Sequence, residues 1–292
     1  MQWKADWGLR FRMFVTMFLL TAVYLVFIGA LSVYLGFGFT GIIMVFALFS
    51  GAQWFFSDKL TLWSMGAKEV SEDEYPELHG MVRRLSQQAD VPVPKVAVVD
   101  SQVPNAFATG RSQKHSAVAV TTGLMRTLNE EELEGVIAHE LAHVKNRDVM
   151  VMTVASFLST IAFLVVRFGF FFGGGGRNRN GGGVFVAIAV SLVVWIISYL
   201  LIRALSRYRE FAADRGAAVI TGKPAALASA LASISGGMER APKEDMREQA
   251  EMNAFFIFPV SGGTITRLFS THPSMERRID RLQQLEREME AA

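Results

Sequence analysis

Cysteine is absent from this chain. Its absence removes disulfide bridges, thiolate metal sites and cysteine nucleophiles, so any metal must be held by histidine and carboxylate. An excess of charge is missing too: 29 Lys and Arg stand against 27 Asp and Glu. That balance argues against bulk nucleic-acid binding. Histidine is scarce, with five in 292 residues, so two inside one short motif carry weight. The glycine tract GGGGRNRNGGG at 173–183 has no Gly-Lys-Ser/Thr ending. It therefore reads as a connector rather than a phosphate-binding loop.

What the chain has in quantity is apolar surface. It is 51% hydrophobic, with 23 Phe, and its mean hydropathy is positive, more apolar than an ordinary soluble domain. Long uncharged runs account for this. Met13 to Leu31 carries no charge, and a second run follows to about Ser57, broken by LGFGFTG at 35–41. Spans need roughly 20 residues to cross a bilayer. The reading is a transmembrane hairpin in segment 1–57, with helices at about 11–31 and 38–57. Trp54 and Trp63 suit an interfacial belt. A second hairpin is expected over 150–205, with helices at about 150–172 and 184–205 and Arg167 as an isolated charge. Residues 58–149 and 206–292 have the mixed texture of a soluble domain that this second hairpin interrupts.

Within 58–149, SEDE at 71–74 reads as a capping box before a helix with Leu78, Met81, Val82 and Leu85 at helical spacing. His79 on that helix and His115 in a following turn are expected to be surface residues. KVAVVD (95–100), PNAFATG (104–110) and SAVAVTTG (116–123) alternate and are β-branched, so a small antiparallel sheet is expected, with one strand edge free to pair with a peptide. Fold class is α+β, mainly helical, with four transmembrane helices in two hairpins.

Asn129 to Asp148, NEEELEGVIAHELAHVKNRD, reads as one helix. Asn129 and Glu132 form a capping box, and Glu130 and Glu131 suit the positive end of the helix dipole. Inside it, His139 and His143 are four residues apart and share one helix face, so both imidazoles can reach a single metal ion. Glu140 stands beside the first of them, where it can touch a water at that ion. This is the HExxH pattern of zinc peptidases. A catalytic zinc wants three protein ligands and an open position. In SRYREFAAD (206–214), which continues the last span, Glu210 and Asp214 share a face. Glu210 is the candidate third ligand, and Asp214 the residue that hydrogen-bonds a ligand histidine. Solvated pairing of the two acids with Arg207, Arg209 or Arg215 is the alternative.

Together with Asn105-Ala106-Phe107 and the late THPSMERRI, these motifs make nearly the whole chain resemble the HtpX family of heat-shock membrane proteases, relatives of the CaaX prenyl protease. The resemblance implies a zincin-like protease domain and a zinc endopeptidase, one Zn2+ per chain, that cleaves misfolded membrane proteins in bacterial quality control. It implies a multi-pass protein of the inner membrane with its protease domain facing the cytoplasm, working beside other membrane quality-control proteases. It further implies that Asn105 helps to hold the substrate backbone, and that His272 and Arg278 lie near the cleft. His272 is the candidate donor to the developing oxyanion. Glu140 is the expected general base. Lys4, Arg10 and Arg12 place the catalytic side in the cytoplasm by the positive-inside rule, whereas Arg177 and Arg179 argue the other way. Two alternatives stay open: cleavage within a substrate's own span, and a non-catalytic scaffold or holdase with a metal site.

Two stretches complete the reading. Thr221 to Gly237, with Pro224 at its start, is expected to be a packed helix. Residues 238–263 include the apolar FFIFPVSGG, which reads as a cleft wall, a segment dipping into the membrane interface, or core packing. The C-terminal helix carries Ile279, Leu282, Leu285 and Met289 on one face for docking.

Overall fold

The computed structural model describes residues 7–35, 61–152, 181–240 and 273–291, with a few isolated positions in the apolar stretches. Most of the expected span at 38–57, most of that at 150–172, Arg167, Arg177, Arg179, the patch 238–263 and His272 lie outside the described residues.

The chain divides into two compact units. One comprises Asp6–Phe55 and Val151–Leu205. Its first helix, α1 (Trp7–Leu35), runs unbroken for 29 residues, about 43 Å at the α-helical rise. Trp7, Phe11, Phe14 and Phe18 on α1 are exposed, whereas Leu20, Tyr24 and Phe27 are buried. The Tyr24 hydroxyl donates to the Ala155 carbonyl, so this buried polar group is satisfied. Among the described residues one helical stretch, Ile188–Thr221, is long and apolar enough to cross a membrane by length and composition.

The other unit comprises Met1–Ala5, Phe56–Met150 and Ser206–Ala292. It holds β1 (Lys68–Glu69), α2 (Pro76–Ala89), β2 (Lys95–Val99), β3 (Ala106–Ser112), β4 (His115–Thr121), α3 (Thr122–Thr127) and α4 (Glu130–Asn146). The end of α5 (Gly181–Thr221), α6 (Pro224–Arg240) and α7 (Met275–Glu290) complete it. α5 is a single helix of 41 residues. Segment 206–214 thus continues the apolar helix without a break, and α5 takes in the last three glycines of the tract.

The sheet differs from expectation. Its order is β1-β2-β4-β3. β3 and β4 form an antiparallel hairpin, but β2 and β4 are parallel, with Ala97 opposite Ala119, so the sheet is mixed rather than antiparallel. The chain between β2 and β3 crosses to the far edge of the sheet before β3 starts. β4, returning beside β3, then lands next to β2 in the same direction. Gly110 makes the hairpin possible: it has φ +148, and a Cβ there would lie 2.4 Å from the His115 carbonyl. His115 opens β4 and is exposed. Thr122, expected in the strand, instead starts α3, because Thr121 caps that helix by accepting from the Leu124 N–H.

Both faces of the sheet are covered, so alternating residues of one strand enter different cores. Val96 and Val98 of β2 and Val118 and Val120 of β4 pack with Leu85, Ile137, Leu141, Leu231 and Leu282. Ala97, Val99 and Ala119 pack with Met65, Val103 and Phe107 on the other face. α2 starts four residues later than the SEDE box suggested. Pro76, pre-set for a first helical position, opens the helix after Tyr75, while Glu74 closes a turn with the Ser71 N–H at 2.8 Å.

α4 starts as its sequence demands: Asn129 accepts from the Glu132 N–H, and Glu132 accepts from the Asn129 N–H. The Glu132 carboxylate also accepts from Ser229 (2.6 Å) and Ser233 (3.1 Å) of α6. Gly135 lets the two helices approach, since a Cβ there would stand 3.1 Å from the Leu227 backbone.

Candidate metal centre

α4 presents His139 and His143 one turn apart, and α5 brings Glu210 against them. The ring Nε2 atoms of the two histidines are 3.2 Å apart. Glu210 Oε2 lies 3.5 Å from His139 Nε2, and Oε1 lies 3.5 Å from His143 Nε2. One ligand atom from each residue falls within 4.8 Å of the others.

The outer nitrogen of each imidazole meets a carboxylate. His139 Nδ1 is 3.1 Å from Asp214 Oδ1, an ion-pair approach rather than an aligned hydrogen bond. His143 Nδ1 is 2.5 Å from Asp148 Oδ2. Each carboxylate favours a proton on Nδ1, and that leaves Nε2 with its lone pair facing inward. With both imidazoles neutral, two lone pairs and a carboxylate converge at these distances, a set that a metal ion would hold together.

The charges agree. Glu140, Glu210, Asp214 and Asp148 are all buried. Two guanidiniums accompany them. Arg278 of α7 donates to Asp214 through Nε at 2.9 Å and Nη2 at 2.6 Å, and places Nη1 3.2 Å from Glu210. Arg209 Nε is 3.0 Å from Asp148 Oδ1. With both imidazoles neutral, these four carboxylates and two guanidiniums among the described residues leave two negative charges, which one divalent ion would cancel. The donor set therefore fits such an ion, with His139, His143 and Glu210 as its ligands.

Electrostatics follow from burial and these partners. Burial pulls the His139 imidazole down, but Asp214 and Glu210 outweigh it and its pKa is raised. Burial acts likewise on His143, and Asp148 and Glu210 still carry it up to about 10 in the metal-free chain. Burial pushes Asp214 up, yet Arg278 and His139 hold it below the usual carboxylate range. Asp148 is held down against burial by Arg209 and His143. Glu140 goes the other way: burial raises it, and the two imidazoles only partly offset that. The Ala108 N–H of β3 donates to the Glu140 carboxylate. In this hairpin Asn105 and Thr121 form a bonded pair, through the Thr121 N–H and the Asn105 carbonyl at 2.9 Å. By alternation Ala108 turns its main chain outward, toward Glu140, on the edge strand.

The structure thus gathers His139, Glu140, His143, Glu210, Asp214 and Arg278. Glu210 and Asp214 face the histidines and Arg278 instead of standing on a solvated face. Asn105 is buried at the entry to β3, its N–H donating to Thr121 Oγ1 at 2.9 Å. Asp148 and Arg209 were not singled out as site residues by sequence reasoning. Asp148 is five residues from His143, off the helical period. It reaches back only because Arg147 caps α4 in the left-handed conformation, φ 57.

A helix carrying HExxH, a carboxylate from a second helix and a flanking mixed sheet define a metallopeptidase of the HExxH class. The model of peptidase family M48 matches residues 72–286, and the chain belongs to that family. Its relatives include "Protease HtpX homolog 2" of Methanosarcina mazei, 59% identical over 99% of both chains. "Protease HtpX homolog" of Moorella thermoacetica is 55% identical over 99% of this chain and 98% of its own. "Protease HtpX homolog 1" of Streptomyces coelicolor is 48% identical over 99% and 96%. Among solved structures, the S. mikatae Ste24p crystal structure shares the fold, with TM-score 0.56 and 16% identity. The alignment covers 94% of this chain and 66% of that one.

Proposed function

We propose that this chain is a zinc endopeptidase of the cytoplasmic membrane that cleaves misfolded membrane proteins, with its catalytic unit facing the cytoplasm. The observation that carries the reading is the convergence of His139, His143 and Glu210 with Glu140 buried beside them. Zinc suits a nitrogen-and-carboxylate set. When bound, it supplies Lewis acidity toward water and a peptide carbonyl.

The chain's own residues would do the rest. Glu140, oriented by the Ala108 N–H and raised by burial, accepts a proton from the attacking water and returns it to the leaving amine. The outer edge of β3 offers main-chain groups to an extended peptide. Asn105 helps to hold that peptide's backbone, and His272 donates to the developing oxyanion. Arg278 holds Asp214 and Glu210 in place. Membrane integration is supported by the apolar helix Ile188–Thr221, which carries Glu210 itself, and by the exposed aromatic side chains of α1.

The test is proteolysis by detergent-purified protein on a membrane-protein substrate and an unfolded soluble one, with zinc, with chelator, and with Glu140→Ala. Cleavage that needs both zinc and Glu140 is expected. If Glu140→Ala binds zinc and cuts as fast as the parent, the mechanism is wrong. Substrate holding without cleavage by either protein would favour the scaffold reading. A reporter fused after Ala292 should read cytoplasm, and a signal from the opposite face would overturn the orientation.

A further inference from the structure

We propose that Asp148 and Arg209 form a second positioning arm of the metal centre, which fixes His143 through Nδ1 and braces α4 against the helix carrying Glu210. The inference rests on the metal-centre reading above and deepens it. Asp148 is buried, at 2% exposure, and its two oxygens have separate tasks. Oδ2 meets His143 Nδ1 at 2.5 Å, while Oδ1 meets Arg209 Nε at 3.0 Å.

The arm joins the two ligand-bearing helices. Asp148 follows directly on the left-handed cap of α4, and Arg209 immediately precedes Glu210 on α5. Residues five apart do not share a helix face, so the Arg147 turn is what returns Asp148 to His143. The result repeats, in other residues, the order guanidinium, carboxylate, imidazole already seen for Arg278, Asp214 and His139. Each ligand histidine thus has its own carboxylate, and each carboxylate its own arginine. A carboxylate on the outer nitrogen fixes the ring's tautomer and orientation and makes the ligand nitrogen more basic. An arginine behind that carboxylate keeps it ionised and still.

The test uses the full-length chain in detergent, loaded with Co2+, whose visible absorption reports ligand geometry. Competition with a chelator reports affinity. Asp148→Asn should weaken Co2+ binding by about 10- to 100-fold and change the absorption per bound ion. Asp148→Glu should recover part of the loss, and Arg209→Gln should show a smaller loss of the same kind. Arg83→Ala, which breaks an exposed pair with Glu72 far from any ligand in sequence, should leave both readouts unchanged. If Asp148→Asn does not fold, Arg209→Gln carries the test, because it keeps the Asp148–His143 contact. The proposal is overturned if the folded variants bind Co2+ with the parent's affinity and spectrum, even when their melting temperatures fall, since that is what a merely structural brace would do. A parent that binds no Co2+ would remove the metal centre itself, and this arm with it.

Discussion

At the first turn of α4 a buried carboxylate, Glu132, is met by neutral donors: two serine hydroxyls and a backbone N–H. Burial pushes its pKa up, and those donors bring it below the ordinary value. Around the histidine turns of the same helix, Asp148 just beyond its end and Asp214 on α5 are met by guanidinium and imidazole. The two solutions have different consequences. Hydroxyls satisfy a carboxylate locally, and removing one leaves a single unmade hydrogen bond. Ionic partners bind several buried charges into one set, and removing one strands the others. The first arrangement joins helices α4 and α6. The second also orients imidazole nitrogens toward a cation.

Substitutions at the two ends should separate these roles. Glu140→Gln is expected to lower proteolysis by about 10²- to 10⁴-fold, the usual contribution of a positioned acid–base group. Its melting temperature should not fall, because the change removes a buried acid whose charge burial opposes. A fall in stability comparable to the loss of activity would contradict that separation.

Asp214→Asn leaves Arg278 buried with fewer partners. It should cost about 3–5 kcal/mol of stability, the range for breaking a buried ion pair from one side, and weaken metal binding as well. Denaturant unfolding with and without metal measures both. A variant as stable as the parent would show that Glu210 alone balances Arg278.

Metal uptake should depend on pH at this end of the helix only. In the metal-free chain His143 keeps its proton to about 10, and a proton must leave before Nε2 can act as a ligand. Apparent affinity should therefore rise with pH and fall roughly tenfold per unit of acidification for each displaced proton. Stability of the metal-free chain runs the opposite way for this group. Its raised pKa contributes stability below the unfolded value near 6.5 that is lost as pH climbs toward about 10. Asp148 and Asp214, both depressed, contribute above the ordinary carboxylate range, and their share is lost on acidification. Isothermal titration across pH 6 to 8 is the check. An affinity flat with pH would mean that the imidazoles are already unprotonated.

The smallest effect belongs to the first turn. Ser229→Ala should cost about 1 kcal/mol, the usual net worth of one hydrogen bond, with metal affinity and proteolysis unchanged per folded molecule. Any shift in metal affinity would show that α6 takes part in the centre.

These contrasts also show which features local sequence could carry. The capping box of α4, the shared face of His139 and His143, and the Glu210–Asp214 pair are set by helical periodicity within a few residues, so they could be read directly. So could the strands β2 to β4, whose alternation is local. Parallel pairing of β2 with β4 could not, because alternation says nothing about strand direction. Asp148 escaped for a related reason: its reach depends on one left-handed residue, Arg147, a conformation that Arg rarely adopts. Arg278 was found only through resemblance, since 64 residues separate it from Asp214.

By itself, then, the sequence determined the residue types that can hold a metal here, because cysteine is absent and two of five histidines stand one helical turn apart. It also determined which helices carry them, because amphipathic period and caps are properties of adjacent residues. Only the tertiary structure decided which carboxylates meet which imidazole nitrogens, and which arginines sit behind them. Those choices depend on helices distant in the chain being packed to within about 3 Å hydrogen-bonding distance. No local pattern encodes such an approach, and burial then converts it from a weak surface attraction into the force that organises the site.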